Sequence, residues 1–525
     1  MQKKQTILVV VSLLVVVLSV TLAYFTAQII GKGKDVSVTS ADLQIIFTDT
    51  DGSISGTNIE PGWSTSKTFT ITNKSNETYK YNIVIQDLIN TFVTEGYLGY
   101  KITSNNGGYN MEDYKDVPKS ETAKDTVLAY SASIDVGVTQ TYTIEYIYAN
   151  DENVNQNVDQ NKVLSGKLFI TAGTDEPLTL ADKMLRDNPT ISERTDFTVV
   201  NGEDTTGTIY QTNRTEDNST VYYYSGATTN NWVKFGKYST TDSENNLWNA
   251  SDDMYWRIIR TNEDGSVRLL YSGTSPESTK GYIGSSYYNN SSNSTINVGY
   301  MYGTSGSLEN NRLNTNSSVV KTYIDTWYQN NLLNDYDKYI NKSAIYCNNR
   351  SISSSGGTWE EGNQTFPSNI GSPSYKCGAD SSNNLLNTAS IADKFSASTI
   401  GGGNGLLTYP IALMTVDEIN FAGGIQGTDN NKLFLSINSL GTNIIGQNWW
   451  TMTPSVHVKQ STMYWSVYYT GGINGAIEEK YDAPNGNAFS LAVRPVISID
   501  KCAIVKSGDG SASNPYEIDY DNSNC

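Results

Sequence analysis

Hydrophobic and polar positions follow three regimes along the chain. At the N-terminus a predominantly apolar run, Ile7 to Leu22, stands behind Lys3 and Lys4. From about residue 36 to 173 apolar and polar residues alternate with period two, and the apolar ones are mostly β-branched or aromatic. Examples are Leu43-Gln44-Ile45-Ile46-Phe47, Thr68-Phe69-Thr70-Ile71-Thr72, Tyr79-Lys80-Tyr81-Asn82-Ile83-Val84-Ile85, Thr141-Tyr142-Thr143-Ile144-Glu145-Tyr146 and Gly166-Lys167-Leu168-Phe169-Ile170. Turn residues separate them: Asp51-Gly52, Pro61-Gly62, Asn73-Lys74-Ser75-Asn76 and Asn106-Gly107-Gly108. Period two sends alternate side chains to opposite faces, so this stretch predicts short strands of an all-β antiparallel sandwich, one face of each strand buried and the other wet.

The third regime mixes helical and strand spacing. Leu178 to Asn188 predicts a short helix with Leu180, Met184 and Leu185 on one side, and Pro189 blocks its continuation. Residues 190–231 are rich in Thr, Asn, Gly and acids, with Thr208-Ile209-Tyr210 and Val221-Tyr222-Tyr223-Tyr224 as a small hairpin. The whole of 174–231 therefore reads as a partly ordered linker, and residues 232–500 as a second domain. In that domain Tyr255-Trp256-Arg257-Ile258-Ile259-Arg260 and Val267-Arg268-Leu269-Leu270-Tyr271 predict a hairpin around Asn262-Glu263-Asp264-Gly265. Val319 to Leu332, capped by Asn316-Ser317-Ser318, repeats apolar residues at three- and four-residue spacing (Val320, Tyr323, Ile324, Trp327, Tyr328) and predicts a helix with a core face. Thr415-Val416-Asp417-Glu418 is a capping box, and Gly423-Gly424 stops the helix that follows. Late strands over 449–453, 463–468 and 492–499 complete an α+β domain, and residues 501–525 form a polar tail.

Composition narrows the function classes. The chain has 525 residues with 36 Lys+Arg and 54 Asp+Glu, a formal net charge of −18, so nucleic acid is not an expected partner. A single His, His457, leaves no basis for His-rich zinc ligation, and no cofactor is expected. Lys3 and Lys4 before the apolar run are the export pattern. Residues 1–30 read as a signal peptide cut before Tyr24 or as a retained signal anchor holding the membrane through residues 6–30; both readings stay open, and both place the remainder outside the cytoplasm or at the cell surface. The four cysteines, Cys347, Cys377, Cys502 and Cys525, read as two disulfides in such a compartment. Three pairings are open, and proximity favours Cys347–Cys377 and Cys502–Cys525, the second tying the tail down.

Two resemblances follow from these residues. The export segment ending in Ala23-Tyr24-Phe25-Thr26, followed by Ile59-Glu60-Pro61-Gly62-Trp63 and the strand from Ser64 to Asn73, resembles the camelysin and TasA-like exported biofilm-matrix proteins over residues 20–173. That resemblance implies a jelly-roll-like sandwich, export by a dedicated signal peptidase and, in some members, fibre assembly. The camelysin protease activity is not carried over, since no zinc-ligand set accompanies the match. The strand 255–259, Leu413-Met414-Thr415-Val416-Asp417-Glu418, Trp449-Trp450-Thr451-Met452-Thr453-Pro454-Ser455 and Val493-Arg494-Pro495-Val496 resemble a bacterial domain of unknown function with the C-type-lectin-like, formylglycine-generating-enzyme-like fold. The resemblance implies hairpins and two helices carrying long binding loops. Asp482-Ala483-Pro484-Asn485 departs from the calcium-lectin loop pattern, so calcium-dependent sugar binding is not expected.

Candidate site residues are few. Trp449, Trp450, Tyr464, Trp465 and Tyr468 form an aromatic neighbourhood suited to stacking on sugar rings, against the alternative that they pack the core. Arg494 can bind a ligand carboxylate or pair internally with Asp417 or Glu418. Asp49-Thr50-Asp51-Gly52 is half of a calcium-loop pattern and reads as a solvated turn, with no metal expected. His457 near Ser455 lacks a nucleophile-elbow motif and carries no triad. The sequence thus predicts a non-enzymatic, exported surface or matrix protein: a signal or transmembrane helix, a β-sandwich, then a C-type-lectin-like α+β domain presenting a loop surface to a glycan or a neighbouring or host protein. The alternatives are a self-assembling fibre subunit carrying the second domain as cargo, and an enzyme of the formylglycine-type oxidase or surface-hydrolase class.

Overall fold

The computed structural model describes residues 59–289, 295–351, 363–366, 369–378, 391–399, 403–458, 461–478 and 490–521, with Ser523 and Cys525, and upstream the strands Asp35–Ser40, Leu43–Asp49 and Ile54–Ser55. The apolar export segment within residues 1–30, the Thr50-Asp51-Gly52 turn and the Asp482 to Asn485 stretch lie outside the described residues. Among the described residues no helix is long and apolar enough to cross a membrane. The chain divides into two compact units, residues 1–176 and 177–525.

The first unit is two antiparallel sheets around one core. The larger sheet orders its strands Asp35–Ser40, Leu43–Asp49, Ser64–Asn73, Thr139–Tyr148, Leu98–Asn105 and Lys115–Asp116; the smaller orders Ile54–Ser55, Leu164–Ala172, Tyr79–Asn90 and Ser120–Ile134. Period two acts as expected in Ser64–Asn73, where Lys67, Phe69, Ile71 and Asn73 turn inward. Phe69 stacks on Tyr142 with centroids 5.0 Å apart. Ile83, Ile85, Leu168 and Ile170 of the smaller sheet join Phe69, Ile71, Ile102 and Ile144 of the larger in the same core. Each such buried side chain stabilises by roughly 1.5–3 kcal/mol. The Pro61-Gly62 turn holds Gly62 at φ 92°, and its N–H donates to the Tyr148 carbonyl at 2.7 Å. Two long strands are not among the runs that period two picks out. Leu98–Asn105 in fact alternates, with Leu98, Tyr100 and Ile102 in the core, whereas the first half of Ser120–Ile134 is an exposed polar edge with nothing to alternate against.

The second unit corrects the linker. Residues 177–231 are not a spacer. Helix α1 (Leu180–Asp187), capped by the Thr179 side chain, buries Leu180, Ala181 and Met184 in the unit's main core. Thr190–Ser192, Thr208–Thr212 and Val221–Tyr223 extend a nine-stranded sheet through Asp253–Thr261, Trp232–Lys237, Tyr516–Ile518 and Val505–Ser507. Polar composition misleads here because these strands contribute ladder hydrogen bonds and only a few buried side chains, Ile209, Val221, Tyr223 and Tyr224 among them. The tail is integral for the same reason: Tyr516–Ile518 pairs in parallel with Trp232–Lys237.

The predicted hairpin forms between Asp253–Thr261 and Val267–Tyr271, with Gly265 at φ 84°. Helix α2 (Val319–Asn331) starts at Ser318, whose Oγ accepts from the Lys321 N–H at 3.2 Å, and buries Val320, Ile324, Trp327 and Tyr328. Helix α3 (Val416–Ala422) carries both bonds of the capping box, Glu418 N–H to Thr415 Oγ1 at 3.2 Å and Thr415 N–H to Glu418 Oε2 at 3.0 Å, and ends on Gly423 at φ 114°. Among the described residues of the second unit strands outnumber helices, so the expected helices sit within an architecture that is mostly sheet.

Candidate functional site

The aromatic neighbourhood is core, which corrects its assignment to ligand binding. Trp449, Trp450 and Tyr464 are 0% exposed and Trp465 is 8% exposed. A regular strand covered on one face would leave one of the two adjacent tryptophans outside. Trp449–Val458 is irregular, with its register against Ser461–Val467 shifting on both sides of Pro454, and it is covered on both faces. Trp450 Nε1 donates to the Ser286 carbonyl at 2.8 Å and its ring packs edge-on to Tyr288. The Tyr464 hydroxyl accepts from the Gly299 N–H at 2.8 Å. None of these rings offers a face to a ligand.

Arg494 is likewise corrected, in both of its readings. It is fully buried and meets neither a ligand carboxylate nor Asp417 or Glu418. Its Nε donates to the Gly281 carbonyl at 3.0 Å, Nη2 to the Tyr271 carbonyl at 3.1 Å, and Nη1 to the Leu435 carbonyl, with the guanidinium over Trp449. Burial drives its pKa down to about 9.

Glu418 instead serves two arginines of the central hairpin: Arg268 Nη1 lies 2.6 Å and Arg260 Nε 3.3 Å from its Oε1. Beside it Asp417 accepts from the Ser374 N–H at 2.9 Å and Asn369 Nδ2 at 3.0 Å, and burial lifts its pKa to about 6, with Glu418 adding to the rise. The Cys347–Cys377 disulfide closes over this cluster, and the remaining space, about 30 Å³, suits a water molecule and no larger ligand. Cys502 and Cys525 form the second bridge. Both cysteines of the first bridge are thus oxidised, and no free cysteine occurs among the described residues. His457 is buried in its strand, with Nδ1 2.8 Å from Thr462 Oγ1.

An open site lies on the side of α2 away from the core. Thr322, Thr326 and Asn330, four residues apart, form an exposed stripe with half-buried Tyr323 alongside, and Tyr302 stands at one end. The opposite wall is the 240–248 loop, and the groove between them has a volume of about 870 Å³. Asp242 organises the loop: Oδ1 accepts from the N–H groups of Glu244 (3.2 Å) and Asn245 (3.1 Å), Oδ2 from that of Leu247 (3.2 Å), and its own N–H donates to the Trp248 carbonyl at 3.1 Å. Trp248 stacks on Tyr238 with centroids 4.5 Å apart and planes 9° from parallel. Thr240 Oγ1 donates to Asn331 Oδ1 at 2.9 Å and ties loop to helix.

Tyr323 is fixed by its surroundings. Its hydroxyl donates to the Ile283 carbonyl at 2.9 Å and rests on Gly284, at φ 130°, where a Cβ would stand 1.9 Å from the hydroxyl oxygen. Burial raises the Tyr323 pKa to about 12, and the carboxylates of Asp242 and Glu244 add to the rise. The lining is hydroxyls, amides, aromatic rings and two acids, with no lysine or arginine among the described residues. The spacing of α2 marks its core face in the sequence, but a polar stripe of Thr and Asn is what any solvated helix shows, so nothing in the pattern singled out this groove. Set against known proteins, the chain matches no family model and no curated protein.

Proposed function

We propose that the chain is an exported surface or matrix protein whose second unit binds a neutral, polyhydroxylated ligand, a glycan chain, in the groove along α2. The observation that carries this reading is the groove itself. Its volume falls in the range of small-ligand sites, and its polar groups are hydroxyls and amides that both donate and accept. Tyr302 and Tyr323 supply apolar ring surface against which sugar C–H faces pack. Without a cationic side chain, the lining favours an uncharged ligand over an anionic one. The two carboxylates do not form a general acid–base pair in this reading, because Asp242 is already engaged by three loop amides.

Export is supported by Lys3 and Lys4 ahead of the apolar run and by two disulfides. The first unit acts as a structural support. Polymerisation through its long edge strand, Ser120–Ile134, is disfavoured by Glu121, Lys124 and Asp125 on that edge and by repeated register shifts against Tyr79–Asn90, features that discourage strand addition. A glycan array probed with the full oxidised chain tests the proposal. Binding to neutral oligosaccharides that is lost in Tyr302→Ala supports it, and an array blank for neutral glycans overturns it.

A further inference from the structure

A second cavity of about 770 Å³ lies in the same unit, apart from the α2 groove in its lining residues, and one of the residues lining it is Arg257. Arg257 is 2% exposed. Its Nε donates to Asn231 Oδ1 at 2.5 Å and its Nη2 to the Thr228 carbonyl at 2.7 Å, while Nη1 has no partner among the described residues. The guanidinium lies between Trp232, 4.2 Å from the ring centroid, and Phe434, 5.3 Å. No carboxylate among the described residues pairs with it, in contrast to Arg260 and Arg268, which share Glu418, and Arg350, which holds Asp393 at 2.5 Å. Arg494 also lacks an acid, but backbone carbonyls take up all three of its nitrogens. Arg257 is thus a buried cation with an open donor at a cavity. Burial, with the nearby Arg494, lowers its pKa to about 9. The carboxylates among the lining residues, Asp204 and Glu277, are exposed and form no ion pair with it.

Other lining groups indicate what accompanies the anion. Ser439 lines the cavity too, though its hydroxyl is shielded from solvent and has no partner among the described residues. Thr229, Ser511 and Ser513 add hydroxyls, and Lys432 stands at the exposed edge. A guanidinium with a free N–H beside hydroxyl donors and acceptors recognises a carboxylate carried on a polyol.

We propose that this cavity is a binding site for a carboxylated sugar, a uronate-type residue of an acidic glycan, whose carboxylate meets Arg257 Nη1. The site is independent of the α2 groove and of the ligand assigned to it.

The test is calorimetric titration of the full oxidised chain with galacturonate, galactose and the dipeptide Ala-Ala, repeated on Ser513→Trp. Ser513 is exposed, so the variant fills the cavity mouth without disturbing the core. Arg257→Gln serves as a second variant if it folds. Saturable galacturonate binding at least ten-fold tighter than galactose, reduced ten-fold or more by Ser513→Trp, is the expected result. Equal affinity for the two sugars, no binding of galacturonate, tighter binding of the dipeptide, or binding unchanged in Ser513→Trp would each overturn it.

Discussion

Glu418 Oε1 lies 2.6 Å from Arg268 Nη1, both residues almost wholly buried, and the same carboxylate caps the helix it belongs to through the Thr415 N–H. One side chain therefore fixes the start of α3 and joins it to the central hairpin, since Arg260 and Arg268 stand on its two strands. Removing one partner of a buried pair leaves the other charge uncompensated. Glu418→Ala is expected to destabilise the second unit by about 3–5 kcal/mol, measured as the shift of its chemical unfolding midpoint. A change within experimental error would mean that the arginines find other acceptors.

The neighbour of Glu418 gives a pH signature of opposite sign. Asp417 has its pKa raised from 3.8 to about 6 in the folded state, so its ionised form is disfavoured there. The protein then binds more protons at this group folded than unfolded between pH 3.8 and about 6, and its contribution to stability is fully present below that window and lost as pH rises through it. Asp417→Asn keeps an acceptor for the Ser374 N–H and does not ionise. Its melting temperature relative to wild type is expected to rise between pH 4 and pH 7 and to stay level above that. A difference independent of pH would contradict the assignment.

Glu418 itself is held below its ordinary carboxylate range, with burial outweighed by the attraction of Arg268 and Arg260. Its contribution to stability is present above the unfolded-state value of about 4.5 and lost as pH falls through its lower folded value. Acid unfolding of Glu418→Gln is therefore expected to start from lower stability at neutral pH and to depend less on pH below 4.5 than that of wild type.

Gly284 and Tyr323 form a testable couple. At φ 130° an L side chain is strained, and a Cβ would overlap the tyrosine hydroxyl. Gly284→Ala is expected to cost on the order of 1–3 kcal/mol. Adding Tyr323→Phe removes the overlapping oxygen and is expected to recover part of that cost, a coupling read from a double-mutant cycle by thermal unfolding. Strict additivity would show that Tyr323 does not rest on this glycine.

The two disulfides are expected to differ in effect. Cys347–Cys377 closes a separation of 30 residues beside the Glu418 cluster, and replacing both cysteines with serine should cost about 3–4 kcal/mol in the chain-entropy account. Cys502–Cys525 ties down a tail whose strand Tyr516–Ile518 is already paired in the sheet and whose Tyr516 and Ile518 are buried. Its double serine variant should therefore keep slow amide exchange in Tyr516–Ile518 while exchange beyond Tyr520 quickens. Fast exchange across the whole tail would show that the bridge, not the sheet, holds it.

Much of this architecture was legible because local signals were strong. The capping box at Thr415 to Glu418, the helix face of Val320, Ile324 and Trp327, and the hairpin closed by Gly265 each combine period with a specific stop or turn residue. Legibility failed where the third dimension decides. Trp449 and Trp450 are adjacent, and only the second cover over an irregular strand buries both. Arg494 pairs with no acid among the described residues, although Asp417 and Glu418 were its natural partners by composition. The strands at Thr208–Thr212 and Val221–Tyr223 pair as the hairpin read from the sequence, but the region around them looked like spacer because the backbone pairing that joins it to the larger sheet leaves no mark in composition. The groove was invisible for a related reason: half of its wall is a loop organised by Asp242, and no periodicity marks a loop as facing a helix.

The most direct test of the α2 groove as a binding site is saturation-transfer NMR of neutral oligosaccharides with the full oxidised chain, compared with Thr326→Trp, which fills the groove from an exposed position on α2. Saturation transfer to the sugar C–H protons in wild type that disappears in Thr326→Trp is the predicted result. Transfer of equal strength in the two proteins, or none in wild type, would contradict the account.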